Sequence, residues 1–349
     1  MSFDSDTLAE HSEINNNGQV TTNANFTQFS TRYDSETQSI WCWMHPAPRP
    51  CLNPTLLNEL EQLQCRLKNI YASRRNKNNW AFKHLILASR SPDIYNLGGD
   101  LGLFRELIKN RDKTRLQHYA HQCIQLLHQN LNNLELPITV IALVQGSALG
   151  GGFECALSCD VIIAERSAQM GFPEILFNLF PGMGAYNLLA KRIGPRLAER
   201  MILSGRTYGA EELYDMGVVD MLADDGDGVG AAERYLKQHN RSQNAIEAIK
   251  KAGKIVSPIT EQDLMDVVDI WVEAAMNLSE KDLNKMERLI YAQNTLDTKT
   301  INENKKNRHI PRHGDWRKIE NVEFPLMTHL GENILHNRRQ SDRCRRENS

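Results

Sequence analysis

Two glutamates, Glu154 and Glu174, stand twenty positions apart among apolar neighbours. Glu154 lies in the run Phe153-Glu154-Cys155-Ala156-Leu157, and Glu174 sits between Pro173 and Ile175. An ionised carboxylate is costly to bury without a partner or a task. Two carboxylates in one apolar pocket divide into proton donor and proton acceptor, because burial and mutual repulsion separate their pKa values. The competing reading is structural: each glutamate caps a helix or pairs with an arginine such as Arg192. Residue types alone leave both readings open.

Glycines surround this pair. The stretch Ala142 to Glu154 runs from an apolar strand through Gly146, Gly150, Gly151 and Gly152 into a short helix. Unhindered backbone N–H groups at such a junction can hold an anion or a developing oxyanion. A turn kept small for close strand–helix packing explains the glycines equally well. Two nucleotide readings fail on spacing, since the order is not G-x-G-x-x-G and no Gly-Lys-Ser/Thr follows. A second turn, Phe180-Pro181-Gly182-Met183-Gly184-Ala185, follows Glu174, and a third, Leu97-Gly98-Gly99-Asp100, precedes a helix that Asp100 can cap. Cys155 and Cys159 read as small buried hydrophobes. His118, His121 and Cys123 lack a second ligand pair at metal-site spacing, so no metal site is expected. Arg74, Arg75 and Lys77 read as surface charge.

The elements that must position these residues alternate between strand and helix, which predicts an α/β fold. Strands are expected at 39–44, 84–89, 138–144 and 160–164. Helices are expected at 53–71, 100–109, 114–131 and 151–158. Beyond Gly182 the pattern is mostly helical and includes 270–276 and 280–291.

The chain has 349 residues, 41% apolar and 24% charged. That length can bury about three-quarters of its unfolded surface. A net charge of −2 excludes a nucleic-acid binder held by bulk positive charge. No apolar run approaches the roughly 18 residues of a membrane span, and the opening residues lack a signal-peptide plan. Seven cysteines without close pairs suggest reduced thiols, so a cytoplasmic protein is expected. Residues 1–30 carry four acidic residues and no Lys or Arg, which predicts a disordered segment. Residues 301–349 carry eleven basic against seven acidic residues and are expected to form a flexible basic extension, with a short apolar island at 322–330.

Taken together, these motifs resemble the crotonase (enoyl-CoA hydratase/isomerase) superfamily over about residues 33–293. The resemblance implies a catalytic domain over 31–300, a spiral of strand–strand–helix units closed by C-terminal helices. It makes Glu154 and Glu174 the catalytic pair and the Asn96 and Gly151 N–H groups the oxyanion hole. It also assigns Gly182 to placing the reacting water or hydroxyl. Within the superfamily the chain is most similar to diffusible signal factor synthases. The shared stretches are Arg32-Tyr33-Asp34, Pro48 to Asn53, Tyr95 to Leu101, Phe172-Pro173-Glu174 and Phe180 to Ala185, with Trp271 and Leu289 shaping an acyl pocket. That likeness implies dehydration of a 3-hydroxyacyl thioester and hydrolysis of the thioester, yielding a cis-2-unsaturated fatty acid. The substrate would ride on acyl carrier protein or CoA, with no other cofactor and no metal. A sensor-kinase partner and a homo-oligomer built on trimers are further implications. The alternatives are an enoyl-CoA hydratase that retains the thioester, or a non-catalytic regulatory member.

Overall fold

The computed structural model describes residues 13–14, 20–21, 26–74 and 82–291. The expected basic extension with its apolar island, and Arg75 and Lys77, lie outside the described residues, as does most of the acidic opening segment.

A six-stranded sheet forms the centre. It contains β3 (Phe29–Asp34), β4 (Ser39–Met44), β5 (His84–Ser89), β7 (Thr139–Val144), β9 (Val161–Glu165) and β12 (Met221–Ala223), in the order β12-β9-β7-β5-β4-β3. Only the β3–β4 pair is antiparallel. Ahead of it, β1 (Glu13–Ile14) pairs with β2 (Val20–Thr21) as a small ribbon.

The inner strands β4, β5, β7 and β9 are buried on both faces, which explains why they read as apolar runs rather than alternating ones. The strand period of two sends Val140, Ala142 and Val144 of β7 into one core and Ile141 and Leu143 into another. The same division separates Leu85 and Leu87 from Ile86 and Ala88 on β5. The larger core is covered by α1 (Pro54–Arg74), α3 (Lys113–Leu131) and α4 (Gly151–Leu157). Ala231, Ala232 and Leu236 of α8 (Gly228–His239) cover the smaller one.

A second sheet, whose strand positions the sequence pattern does not locate, holds four strands of three residues each in the order β11-β10-β8-β6. These are β6 (Ile94–Asn96), β8 (Ser147–Leu149), β10 (Gln169–Gly171) and β11 (Thr207–Gly209). Chain order now makes sense. Each of β5, β7 and β9 in the large sheet leads directly to β6, β8 or β10 in the small one. A helix follows each: α2 (Leu101–Lys109) then α3, next α4, and finally α5 (Ala185–Ile193) with α6 (Pro195–Ser204). Repetition of this unit is the expected strand–strand–helix spiral. After β11 come α7 (Ala210–Asp215), α9 (Gln243–Val256), α10 (Glu261–Met276) and a final helix over 280–291. Thr260 and Asp263 close a reciprocal capping box that starts α10.

Helix α4 crosses β6 at very short range. A Cβ on Gly152 would lie 2.1 Å from the Asn96 carbonyl oxygen, which is backbone and unable to swing aside. Gly152→Ala is therefore expected to lower stability by about 3 kcal/mol or more, since the overlap forces backbone movement. Urea unfolding of the purified variant checks this; a midpoint equal to wild type would show that the crossing is looser than described.

Candidate active site

Three chain segments reach one place because β6, β8 and β10 run parallel, with one register shift between Ile94 and Asn96 of β6. Asn96 pairs with Ala148, while Ala148 and Leu149 pair with Met170 and Gly171. Beyond these pairs the chain turns at Gly98-Gly99, at Gly150-Gly151 and at Phe172-Pro173. The Gly150 amide donates to the Gly171 carbonyl at 2.9 Å, locking the second and third turns together. Glu154 lies one turn into α4, and Glu174 lies in a short 3-10 turn over Pro173–Phe177.

The three turns and both glutamates reach a single apolar cleft of ≈ 880 Å³ of atom-free space, its open mouth included. Gly99, Gly151, Glu154, Glu174, Gly182, Trp271 and Leu289 share its wall. Trp271 comes from α10 and Leu289 from the final helix, so the two expected acyl-pocket residues do converge here. A Cβ on Gly182 would lie 2.3 Å from Trp271 Cγ, so the glycine lets the indole pack directly against the turn.

Glu154 is 1% exposed. Its Oε1 accepts the Ala185 N–H at 2.9 Å, at the start of α5. Burial and the nearby Glu174 charge push its carboxyl well above the usual range, and the backbone N–H groups of Ala185 and Met183 only partly oppose this. Burial pushes Glu174 up to about 8. Its Oε2 is buried and has no hydrogen-bond partner among the described residues. A Cβ on Gly150 would lie 2.3 Å from Glu174 Oε1, so only glycine lets the turn and the carboxylate share this space.

The arginine alternative is excluded by position: Arg192 bonds the Cys159 and Val218 carbonyls and pairs with Asp220. The helix-capping alternative holds in part, because Glu154 does cap α5.

Asn96 departs from expectation. Its backbone belongs to the β6–β8 ladder, and its side-chain Oδ1 accepts the Gly98 N–H at 2.8 Å. It is fully buried and absent from the cleft wall. Gly99 does line the wall: its N–H has no acceptor among the described residues, and a Cβ on Gly151 would lie 3.3 Å from this nitrogen. The Gly151 N–H is likewise unclaimed. Gly98, at φ +92, makes the turn that exposes the following amide. Gly99 and Gly151 thus place at the cleft wall two amides without an acceptor among the described residues.

Tyr119 was not anticipated. Its hydroxyl donates to the Leu52 carbonyl and accepts the Asp100 N–H at 3.3 Å, clasping the residue next to Gly99. Asp100 caps α2 through the Gly102 and Leu103 amides and pairs with Arg49 at 2.6 Å. No sequence signal points to Tyr119, because the clasp joins α3 to loops 19 and 67 positions away.

Other candidates resolve as structural. Burial pushes the Cys155 thiol up to about 11 and the Cys159 thiol well up, which keeps both un-ionised. His121 pairs with Asp269 at 2.7 Å. No cluster of three or more His, Cys, Asp or Glu side chains suited to a metal occurs among the described residues.

The sequence profile of the enoyl-CoA hydratase/isomerase family matches residues 51–303. The chain belongs to that family. Its fold is the crotonase spiral. The alpha subunit of the fatty acid oxidation complex of Vibrio cholerae is 29% identical over 189 residues, covering 54% of this chain and 25% of that one. The 2,3-dehydroadipyl-CoA hydratase of Escherichia coli is 38% identical over 114 residues, covering 32% and 45%. The chain thus spans less than half the length of either relative. Among solved structures, Pseudomonas aeruginosa DspI superposes with a TM-score of 0.56 at 25% identity, over 76% of this chain and 89% of that one. No helix among the described residues is long and apolar enough to cross a membrane.

Two outcomes are expected from this geometry. With Glu174 raised to about 8 from 4.5, the native state keeps a proton that the unfolded chain has already released. Stability should therefore fall as pH rises through that interval, and Glu174→Gln should flatten the fall. Denaturant unfolding across the interval checks this; equal slopes for both proteins would contradict it. Tyr119→Phe keeps the ring but removes the clasp, and is expected to lower kcat about tenfold with little change in KM. A purely structural hydroxyl would lower the melting temperature and leave kcat of the folded fraction intact.

Proposed function

We propose that this chain moves water across the C2–C3 bond of an acyl thioester, and that it works in the dehydrating direction on a 3-hydroxyacyl group. The observation that carries this is the convergence of two proton-holding carboxyls and two free amides on one apolar cleft.

The thioester carbonyl oxygen sits between the Gly99 and Gly151 N–H groups. Loss of the C2 proton to the Glu174 carboxylate places negative charge on that oxygen. Each positioned donor to it is typically worth about 10²–10³ in rate. Glu154, held protonated by burial, gives its proton to the departing 3-hydroxyl, and water leaves. Glu174 is then protonated and Glu154 ionised. Gly182, at the cleft wall, leaves room for the hydroxyl or water. Trp271 and Leu289 pack against the acyl chain.

The same geometry supports a second step. The ionised Glu154 takes a proton from water as its oxygen attacks the carbonyl carbon. The tetrahedral oxyanion forms in the same two-amide hole, and the C–S bond breaks with the thiol taking the proton. The products are a 2-unsaturated fatty acid and the free carrier thiol. The likeness to diffusible signal factor synthases supports this two-step reading with a cis double bond and a carrier-protein thioester. In that reading, a sensor-kinase partner and a trimer-based assembly would act around the site. A second reading, an enoyl-CoA hydratase that keeps its thioester, is favoured by the Escherichia coli relative, whose name is that of a CoA hydratase.

Incubation with a 3-hydroxyacyl thioester, followed by mass spectrometry of acid and thioester fractions, separates the two. Free 2-enoic acid from wild type, and none from Glu154→Gln or Glu174→Gln, is expected. An enoyl thioester without free acid would leave the hydratase reading. Full activity in either folded variant would remove that glutamate from the mechanism. Because Glu174 must be ionised to accept the C2 proton, kcat/KM for dehydration should rise with pH to an inflection at about 8.

A further inference from the structure

A second cavity lies behind the cleft. It holds ≈ 550 Å³ of atom-free space, part of it open, between α1, α3 and the large sheet. Leu57, Leu60 and Leu63 of α1, Leu126 of α3 and Leu87 of β5 line it. Met183 and Cys123 line both cavities and stand between them.

The chemistry of the second cavity suits hydrocarbon. Its polar side chains are occupied with each other. Gln64 Nε2 donates to the Leu126 carbonyl and to Asn130 Oδ1, both at 3.1 Å, and Asn130 Nδ2 donates to Ser158 Oγ at 3.4 Å. The Cys123 thiol is fully buried and un-ionised, so it is another apolar surface. Nothing on the wall asks for a polar ligand.

Its position relative to the free amides matters more. A Cβ on Gly151 would lie 2.7 Å from Met183 Sδ and 3.3 Å from Leu52 Cδ1, and Leu52 lines the rear cavity. The partition therefore begins beside the amide that would hold the thioester carbonyl. Methionine is unbranched, with soft rotamers, and can swing aside where a branched side chain would not.

We propose that the rear cavity receives the distal methylenes of a straight acyl chain whose thioester lies at Gly99 and Gly151, with Met183 as the side chain the tail must pass. This deepens the acyl-thioester reading above and rests on it. Branching near the crossing point would be excluded, because the opening is only as wide as the space Met183 vacates.

The test uses binding rather than turnover, with saturated S-acylpantetheines from butanoyl to hexadecanoyl. These carry the arm common to CoA and carrier protein and have no 3-hydroxyl to lose. Calorimetric titration of wild type should show affinity rising about fourfold per added methylene until the rear cavity is full. Leu60→Phe narrows that cavity from its half-buried rim. It should leave butanoyl affinity unchanged and weaken the longest chains about tenfold, the equivalent of nearly two methylenes. Met183→Ala should extend the rise to longer chains, and it keeps the test informative if the phenylalanine variant folds poorly. Identical chain-length profiles in wild type and both variants would overturn the rear-cavity assignment and leave the thioester reading standing. Absence of binding at every length would instead overturn the thioester reading, and this inference with it.

Discussion

The parallel pairing of three short strands is the constraint on which everything else depends. β6, β8 and β10 end within one residue of the same level, so the turns that follow them open onto a common cleft. Backbone hydrogen bonding sets the register, and a slip by one residue would carry Glu174 away from Gly150 and turn Gly99 from the cleft. The large sheet supplies the rigidity. Its inner strands are buried on both faces, and three of them, β5, β7 and β9, each deliver one of the short strands directly. Glycine is required where these segments and the cleft wall approach most closely. Gly150 meets Glu174, Gly152 meets Asn96, and Gly182 meets Trp271, each too closely for a Cβ.

Upon this frame rests an electrostatic arrangement that a stable protein would otherwise avoid. Two carboxyls share an apolar cleft, and each favours its protonated form. Their surroundings differ. Glu154 has an amide from α5, whereas Glu174 has an oxygen with no partner among the described residues. Such a difference is what lets one group give a proton while the other takes one. The free amides add polarity where charge develops on a substrate, and the apolar wall keeps their field unscreened.

The wall is itself assembled from distant elements. Phe104 of α2 packs edge-on to Tyr119 of α3 and to Trp271 of α10, with centroids 5.2 Å and 5.1 Å apart. This cluster braces the loop with Gly99 from one side, while the Tyr119 hydroxyl holds its backbone from the other. Closure of the cleft and placement of the amide thus share one set of side chains.

The amino-acid sequence by itself determined a good deal. Long apolar runs such as Thr139 to Val144 marked the central strands, because burial on both faces leaves an unmistakable composition. The glutamates and glycines were visible as residue types out of keeping with their neighbours. The three-residue strands were not, since no periodicity can be read over so short a span. Choosing Gly99 over Asn96 likewise needed the tertiary structure, because the direction of an amide follows from dihedral angles, here the positive φ of Gly98. Tyr119 and the rear cavity arise only when α1 and α3 pack on the sheet. Local sequence specifies which residues tolerate burial or a tight turn; which of them meet is decided by long-range strand register and helix packing.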